Sequence, residues 1–519
     1  MSSTQIPNEP PTQSDGVSEG ASLNPDNFSA LPQIDASNKD MPSAVREAVD
    51  ALVEANIPER LFCHGNSLAR IETDQRGVPC ITNLNVDGLR GELGRAANYY
   101  KFQRDSTSMP DLPPLWVVKD ILALPSLPFP ILNRVTRIPV FASDGTLQLQ
   151  PGYNAAAHIY YAPTDGFVSP SVPQHPTKED VAEARRLILD ELLPDFPFIG
   201  DADRANAACL IIQPAARELI SGPTPIYGID KPAPGTGASL LCDVISYTGT
   251  GEPPSVMSAP PDEAEMRRTI FAALLGSPEI VLIDNIGKKL DSSALSAVAT
   301  SVIYKDRVIA TSETKQVPNR CAWVVTGNNI QLSQELTRRT IRIRLDAKMQ
   351  YPWERLEQDF KHPDLHGWVS ENRSKLVWAV LTLIQNWINQ GRPKFSGPRL
   401  GGYYSWSNTL GGILGCAEIK GFLGNRQNLY QQTDFETAHW TGFTQRWWKQ
   451  YQDCEVTASK LVYLAEEEGF DLGKNEHGKP TRLGILLRGK LGCIFDGLQI
   501  TDATQRKGYT QWKLVRIEQ

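Results

Sequence analysis

The segment Glu279-Ile280-Val281-Leu282-Ile283-Asp284-Asn285 constrains the fold of this chain most. Four consecutive aliphatic residues leave no polar face, so a strand built from them has to be covered on both sides. That is the position of a central strand in a parallel sheet flanked by helices, and it predicts an α/β domain. The abrupt change to Asp284 and Asn285 puts an acid and an amide at the carboxyl edge of the sheet. Open α/β sheets bind their ligands at that edge.

Upstream, Pro225-Ile226-Tyr227-Gly228-Ile229-Asp230-Lys231 reads as another apolar strand. It leads into Pro232-Ala233-Pro234-Gly235-Thr236-Gly237 and then a helix opening at Ala238-Ser239. Strand, glycine loop and helix N-terminus together suit a phosphate, because loop and first-turn N–H groups can point at the anion. Against the P-loop pattern G-x-x-x-x-G-K-[ST], Gly237 and Ser239 fall in place. Pro232 stands at the first glycine and Ala238 at the lysine. Lys231, just before the loop, is the alternative cation. Downstream, Arg320-Cys321-Ala322-Trp323-Val324-Val325-Thr326-Gly327-Asn328-Asn329 is a third apolar strand, ending in amides. Glu335-Leu336-Thr337-Arg338-Arg339-Thr340 then places two arginines at the start of a fourth strand. The intervals from Ser239 to Asp284, to Asn329 and to Arg339 are about 45, 45 and 10 residues.

This order resembles AAA+ ATPases, in particular superfamily 3 helicases and the helicase halves of phage and plasmid primase–helicases. The stretch from Asp306-Arg307 through Val317-Pro318-Asn319-Arg320 to Asn328-Asn329 is similar to the pore-hairpin segment of those proteins. Asp195-Phe196-Pro197-Phe198 and Asp201 to Ala205 are similar to their helical lead-in. The resemblance covers about 195–346 well. It implies an AAA+ P-loop-type core that binds ATP and Mg²⁺ between subunits of a homo-oligomeric ring. Gly235, Thr236, Gly237, Ala238 and Ser239 would form the phosphate cradle, with Lys231 neutralising it. Ser239 and Asp284 would hold the metal, and Asn329 (or Asn328) would sense the γ-phosphate. Arg338 or Arg339 would reach a neighbouring subunit's nucleotide, a role worth roughly 10³–10⁵ in rate. Lys315 would grip DNA, with Lys305 and Arg307 as further candidates. Two departures matter. Ala238 removes a positive charge from the phosphates, and Asn285 replaces the acid that commonly follows the metal-binding Asp.

The remaining chain is expected to supply four further parts. Residues 1–43 are polar and expected to be disordered, since they lack apolar residues to offset ordering entropy. Residues 44–175 read as an α+β module, with a hairpin at Ser143-Asp144-Gly145-Thr146. Thr177 with Asp180 forms a capping-box signature at the start of the 176–350 core. Pro214 is expected to kink or split the helix from Asp201 to Ile220. Residues 351–450 read as a helical domain, with Trp406, Phe422, Trp440, Trp447 and Trp448 as core. Residues 451–519 read as winged-helix-like: two helices, then strands around a loop at Asp502 to Gly508. Arg482, Arg488 and Lys490 on the second helix and Arg506 and Lys507 on the wing are candidates for DNA phosphate contacts.

The net charge of −7 over 519 residues excludes a global basic field, so a nucleic-acid site has to be local. Eight scattered cysteines without a C-x-x-C pair speak against zinc or a disulfide framework and for a reducing cytoplasm. His362 and His366, with Pro363 between them, read as surface residues rather than metal ligands. No signal peptide or membrane span is expected. The function these features imply is an ATP-dependent DNA helicase or translocase in replication of a mobile element, acting with DNA and possible primase or replication partners. The rivals are a non-hydrolysing nucleotide-binding scaffold or helicase-loader-like protein, and a transcriptional or defence regulator that uses the winged helix.

Overall fold

The computed structural model describes residues 31–74, 77–104, 107–307, 314–427, 435–473, 475–506 and 509–517. Residues 1–30 of the expected tail lie outside the described residues, but Gln33–Asp35 is a strand and a helix opens at Met41, so order begins before residue 44. The chain forms two compact units.

The first unit holds residues up to Cys63, Ser67–Arg70 and Thr82–Pro130. Its helices Met41–Glu54, Val86–Ala96 and Leu115–Ala123 turn apolar faces to one core containing Leu52, Leu89, Leu93, Val118 and Ile121. Asn85 caps the middle helix by accepting the Gly88 N–H. That helix stops at Ala96, and Asn98–Phe102 becomes a strand between Gln33–Asp35 and Ser108–Pro110.

The second unit contains the five-stranded parallel sheet. Its order is Ser255–Ser258, Ile280–Ile286, Ala322–Asn328, Ile226–Lys231, Thr340–Arg344. Alternation along each strand feeds two cores. Tyr227, Ile229, Ile280, Leu282 and Val324 face one, and Ile226, Val281, Ile283, Trp323 and Val325 face the other. Each such side chain contributes about 1.5–3 kcal/mol on burial, so the doubly apolar strands belong in the middle of the sheet. The strand Ile280–Ile286 does not stand next to Ile226–Lys231. The amide-ended strand Ala322–Asn328 lies between them.

The capping box forms as the spacing predicts: Thr177 N–H donates to Asp180, and Asp180 N–H donates to the Thr177 hydroxyl. The helix it opens runs over Lys178–Arg186 and widens to a π-helical turn at Leu187–Leu192. Pro214 does not split its helix, which runs unbroken over Asp201–Ala216 and tightens to a 3₁₀ turn only at Arg217. The proline stands two residues before the end of the helix and removes the bond its N–H would have given to the Leu210 carbonyl, yet the helix continues past it. Its carbonyl accepts from Arg134 Nη2 at 2.9 Å.

Helices Leu365–Asn389 and Tyr404–Cys416 pack onto the first core. Trp406 is fully buried, and both its indole N–H and the Tyr227 hydroxyl donate to Gln213 Oε1, at 2.8 and 2.6 Å. Trp440 and Trp447 are likewise core, whereas Trp448 is half-buried. The C-terminal part has helices Ala458–Glu467 and Lys479–Gly489 and a sheet ordered Val456–Thr457, Tyr509–Arg516, Leu498–Arg506, Ile494–Phe495. Its long hairpin departs from expectation. Asp502 is not in a loop but pairs with Trp512 inside the ladder, and the strand runs on to Arg506. The ladder closes at Arg506 and Tyr509, so the turn keeps to the end of the expected Asp502 to Gly508 stretch, and a separate tight turn at Asp496-Gly497, both at positive φ, joins Ile494–Phe495 to Leu498–Arg506.

Candidate functional site

The loop after Lys231 is set by two glycines in the left-handed region, Gly235 (φ 76°) and Gly237 (φ 97°). Gly237 precedes helix Ala238–Thr250, which has no side-chain cap at its start. The first-turn N–H groups, including those of Ala238 and Ser239, thus have no partner from a preceding helical turn. Thr236 is buried, and its hydroxyl donates to Ala233 O at 2.6 Å, so this side chain tightens the loop and only its backbone faces outward chemistry. Ala238 is 1 % exposed and packs into the first core.

Four sequence-separated groups meet at the carboxyl edge. Ser239 Oγ donates to Asp284 Oδ1 at 3.3 Å. Thr326, two residues before Asn328, donates to the same Asp284 oxygen. The Asn285 N–H donates to Thr326 Oγ1 at 3.0 Å. Asn285 takes φ 56° within a bulge that interrupts the pairing next to the acid, and its side chain is exposed. Lys231 is buried at the end of its strand, paired in register with Asn328. Burial pushes its ammonium below the usual lysine range, and the nearby Asp284 carboxylate pulls it back up.

The two amides of the third strand differ. The Asn329 N–H donates to Lys231 O at 2.8 Å, and its Oδ1 accepts from Arg344 Nη2 at 3.0 Å, with the backbone at φ 47°. Asn328 is exposed. By strand alternation it lies on the face of Thr326, the face turned to Asp284. The geometry therefore favours Asn328 over Asn329 as the amide with a free side chain at this edge.

Sequence reasoning missed a charged knot behind the loop. Asp230, 5 % exposed, accepts from Arg342 at 3.0 and 2.6 Å, from Arg344 at 2.5 Å and from the Ile330 N–H at 2.9 Å. The signal was present as Arg342-x-Arg344, alternate residues of one strand that share a face, beside an acid inside the loop strand. Asp243 was also missed. It stands one turn beyond Ser239, and burial raises its carboxyl above the usual range, with a further push from Asp284.

Arg338 and Arg339 are not brought to this edge. Thr340 pairs with Ile226, at the opposite end of the strand from Lys231, roughly 16 Å away at about 3.3 Å per residue. Arg339 is held by Glu335 at 2.7 Å, whereas Arg338 is largely exposed.

The hairpin Ile303–Arg307 with Thr314–Pro318 divides its basic residues. Lys305 and Arg307 are exposed on one face. Lys315 stands opposite Asp306, on the face where Asp306 accepts two bonds from Arg267 at 2.7 and 2.6 Å. Lys315 is thus on the packed side, away from Lys305 and Arg307. In the C-terminal part Arg482 and Arg488 are exposed and Lys490 is half-buried. The Arg506 side chain and Lys507 lie outside the described residues. His362 stacks on Trp368 at 4.1 Å. Among the described residues no three His, Cys, Asp or Glu side chains gather as a metal cage, and no helix is long and apolar enough to cross a membrane. All eight cysteines are free thiols.

No family model and no curated protein matches the chain. Among solved structures it is similar to the apo C-terminal region of NrS-1, with 11% identity and a TM-score of 0.35 over 90% of this chain and 98% of that one. JCV helicase matches at 13% identity and a TM-score of 0.22, over 51% of this chain and 71% of that one. Its inhibitor-bound form gives 14% and the same TM-score. These likenesses are weak, and the functional reading rests on the site geometry.

Proposed function

We propose that this chain is a nucleotide-driven motor subunit of the AAA+ kind: an ATPase that assembles into a ring and translocates on DNA in replication of a mobile element. The observation that carries the reading is the meeting of Ser239, Asp284 and Thr326 beside a left-handed glycine loop and an uncapped helix N-terminus. Ser239 and Asp284 offer a hydroxyl and a carboxylate oxygen 3.3 Å apart. Hard oxygen donors of this kind fit Mg²⁺, which takes one or two protein ligands and completes its shell with phosphates and water. When bound, the ion neutralises phosphate charge. Loop amides bind the phosphates, Lys231 adds positive charge in place of a lysine at 238, and Asn328 or Asn329 orients the terminal phosphate. Arg338, exposed at the far edge and paired with Glu335 only at 3.6 Å, would serve a neighbouring subunit. Lys305 and Arg307 are the proposed DNA contacts of the hairpin, and Arg482 and Arg488 those of the C-terminal module.

The decisive test is ATP turnover with and without single-stranded DNA, with particle mass measured on the same samples. The motor reading expects DNA-stimulated turnover by an oligomer and its loss in Asp284→Ala. Tight ATP binding without turnover would favour the second reading, a non-hydrolysing nucleotide-binding scaffold. Two observations favour that rival. Ala238 is sealed in the core, and Asn285 presents an exposed amide where a carboxylate base would stand.

A further inference from the structure

An aromatic pair flanks the phosphate loop. A Cβ placed on Gly235 would meet the Trp353 ring, its Cβ and its backbone N at 3.0–3.2 Å, so Trp353 lies directly against the loop. Yet Trp353 is 57 % exposed, unlike the core tryptophans Trp323 and Trp406, at 1 % and 0 %. Tyr351, 44 % exposed, stands beside it with ring centroids 5.3 Å apart. Burial does not hold these rings in place. The segment that follows them is anchored by polar bonds to Asp195. Its carbonyl accepts from Arg355 at 3.0 Å, and its carboxylate accepts the Lys361 and His362 N–H groups at 2.8 and 3.1 Å. The next residue, Phe196, puts its ring against Gly237. One dipeptide therefore braces both the loop and the segment that carries the aromatics.

We infer that Trp353, assisted by Tyr351, is a stacking platform for the base of the nucleotide whose phosphates the loop receives. The inference rests on the phosphate-site reading above and adds how the nucleoside is held. A nucleotide bound by the loop amides has its base within one ribose of them, and an exposed indole in contact with Gly235 is within that reach. Stacking uses the π-face that every base has, so the platform accepts purine nucleotides with little discrimination between adenine and guanine.

The test is calorimetric titration of the full chain with MgATP, MgGTP and inorganic tripolyphosphate. The proteins are the wild type, Trp353→Ala and Trp353→Phe. Trp353→Ala is expected to weaken ATP and GTP alike by about 5- to 150-fold, the range of one lost base stack. Tripolyphosphate binding should be unchanged, and Trp353→Phe should restore most of the nucleotide affinity. Equal weakening of nucleotide and tripolyphosphate overturns the platform, because Trp353 would then only prop the loop. Unchanged nucleotide affinity in Trp353→Ala also overturns it. If the wild type binds tripolyphosphate no more weakly than ATP, the platform fails while the phosphate site stands. If it binds neither, the phosphate site itself fails and the platform with it.

Discussion

Replacing Asp230 by alanine should be among the most damaging single changes in the sheet. Its carboxylate receives two bonds from Arg342, one from Arg344 and one from the Ile330 N–H. Arg344 keeps a second partner in Asn329 Oδ1 and is 14% exposed, so its loss is partly made good. Arg342 is 6% exposed and makes its side-chain bonds to this one carboxylate, so Asp230→Ala leaves a buried guanidinium without its hydrogen-bonded acid, with Asp203 acting on it only through space. Breaking a buried pair in this way costs about 3–5 kcal/mol, a large part of a typical stability of about 5–15 kcal/mol. At about 2–4 °C per kcal/mol for a domain of about 150–250 residues, the transition should fall by about 6–20 °C. Thermal unfolding followed by near-ultraviolet dichroism reads it. The companion Asp230→Ala/Arg342→Met should recover much of the loss, since removing both charges leaves none unpaired. A loss under about 1 kcal/mol for the single change, or no recovery in the double, would refute the reasoning, because a solvated or otherwise partnered Arg342 is what would produce either result.

Three further sets of substitutions test the same structure. Lys231→Met should raise the thermal stability of the nucleotide-free protein at pH 8, because burial disfavours the charged ammonium. A lysine with depressed pKa gains stability as pH rises toward its unfolded value, so the gap between variant and wild type should narrow by pH 10. The same variant should weaken MgATP by about 10- to 100-fold, read by titration. Burial acts to raise the Glu92 carboxyl, but Arg95 and Arg70 outweigh it and hold it below the usual range. Glu92→Gln should therefore cost about 1–2 kcal/mol at pH 7, with Arg95 half exposed, and the difference should vanish as pH falls through the folded-state value. Lys305→Ala/Arg307→Ala should reduce DNA stimulation of ATP turnover and flatten its salt dependence by up to about two phosphate contacts, whereas Lys315→Ala should do so far less.

Much of the candidate site was legible because chemistry and secondary structure coincide in short segments. The apolar run at Ile280–Ile283 reads as a strand covered on both faces, which puts its acid at the carboxyl edge. The glycine loop before Ala238 announced its turn through residues that tolerate positive φ. The C-terminal hairpin was less legible. Asp502 looked like loop material, but its pairing with Trp512 depends on a partner strand that local propensity does not reveal. Pro214 looked like a breaker, but the packed helix runs through it to Ala216.

The sequence by itself determined the strands, the loop and the order in which acid, amide and arginine appear, because burial on two faces and left-handed backbone are demands that few residue types meet. Only the tertiary structure decided which side chains share a space. It put Thr326 rather than Asn329 on Asp284, turned Lys315 away from Lys305 and Arg307, tied Arg342 and Arg344 to Asp230, and laid Trp353 against Gly235. The reason is that these contacts join residues up to about 120 positions apart, through strand register and the packing of separate elements. No local pattern encodes either of them.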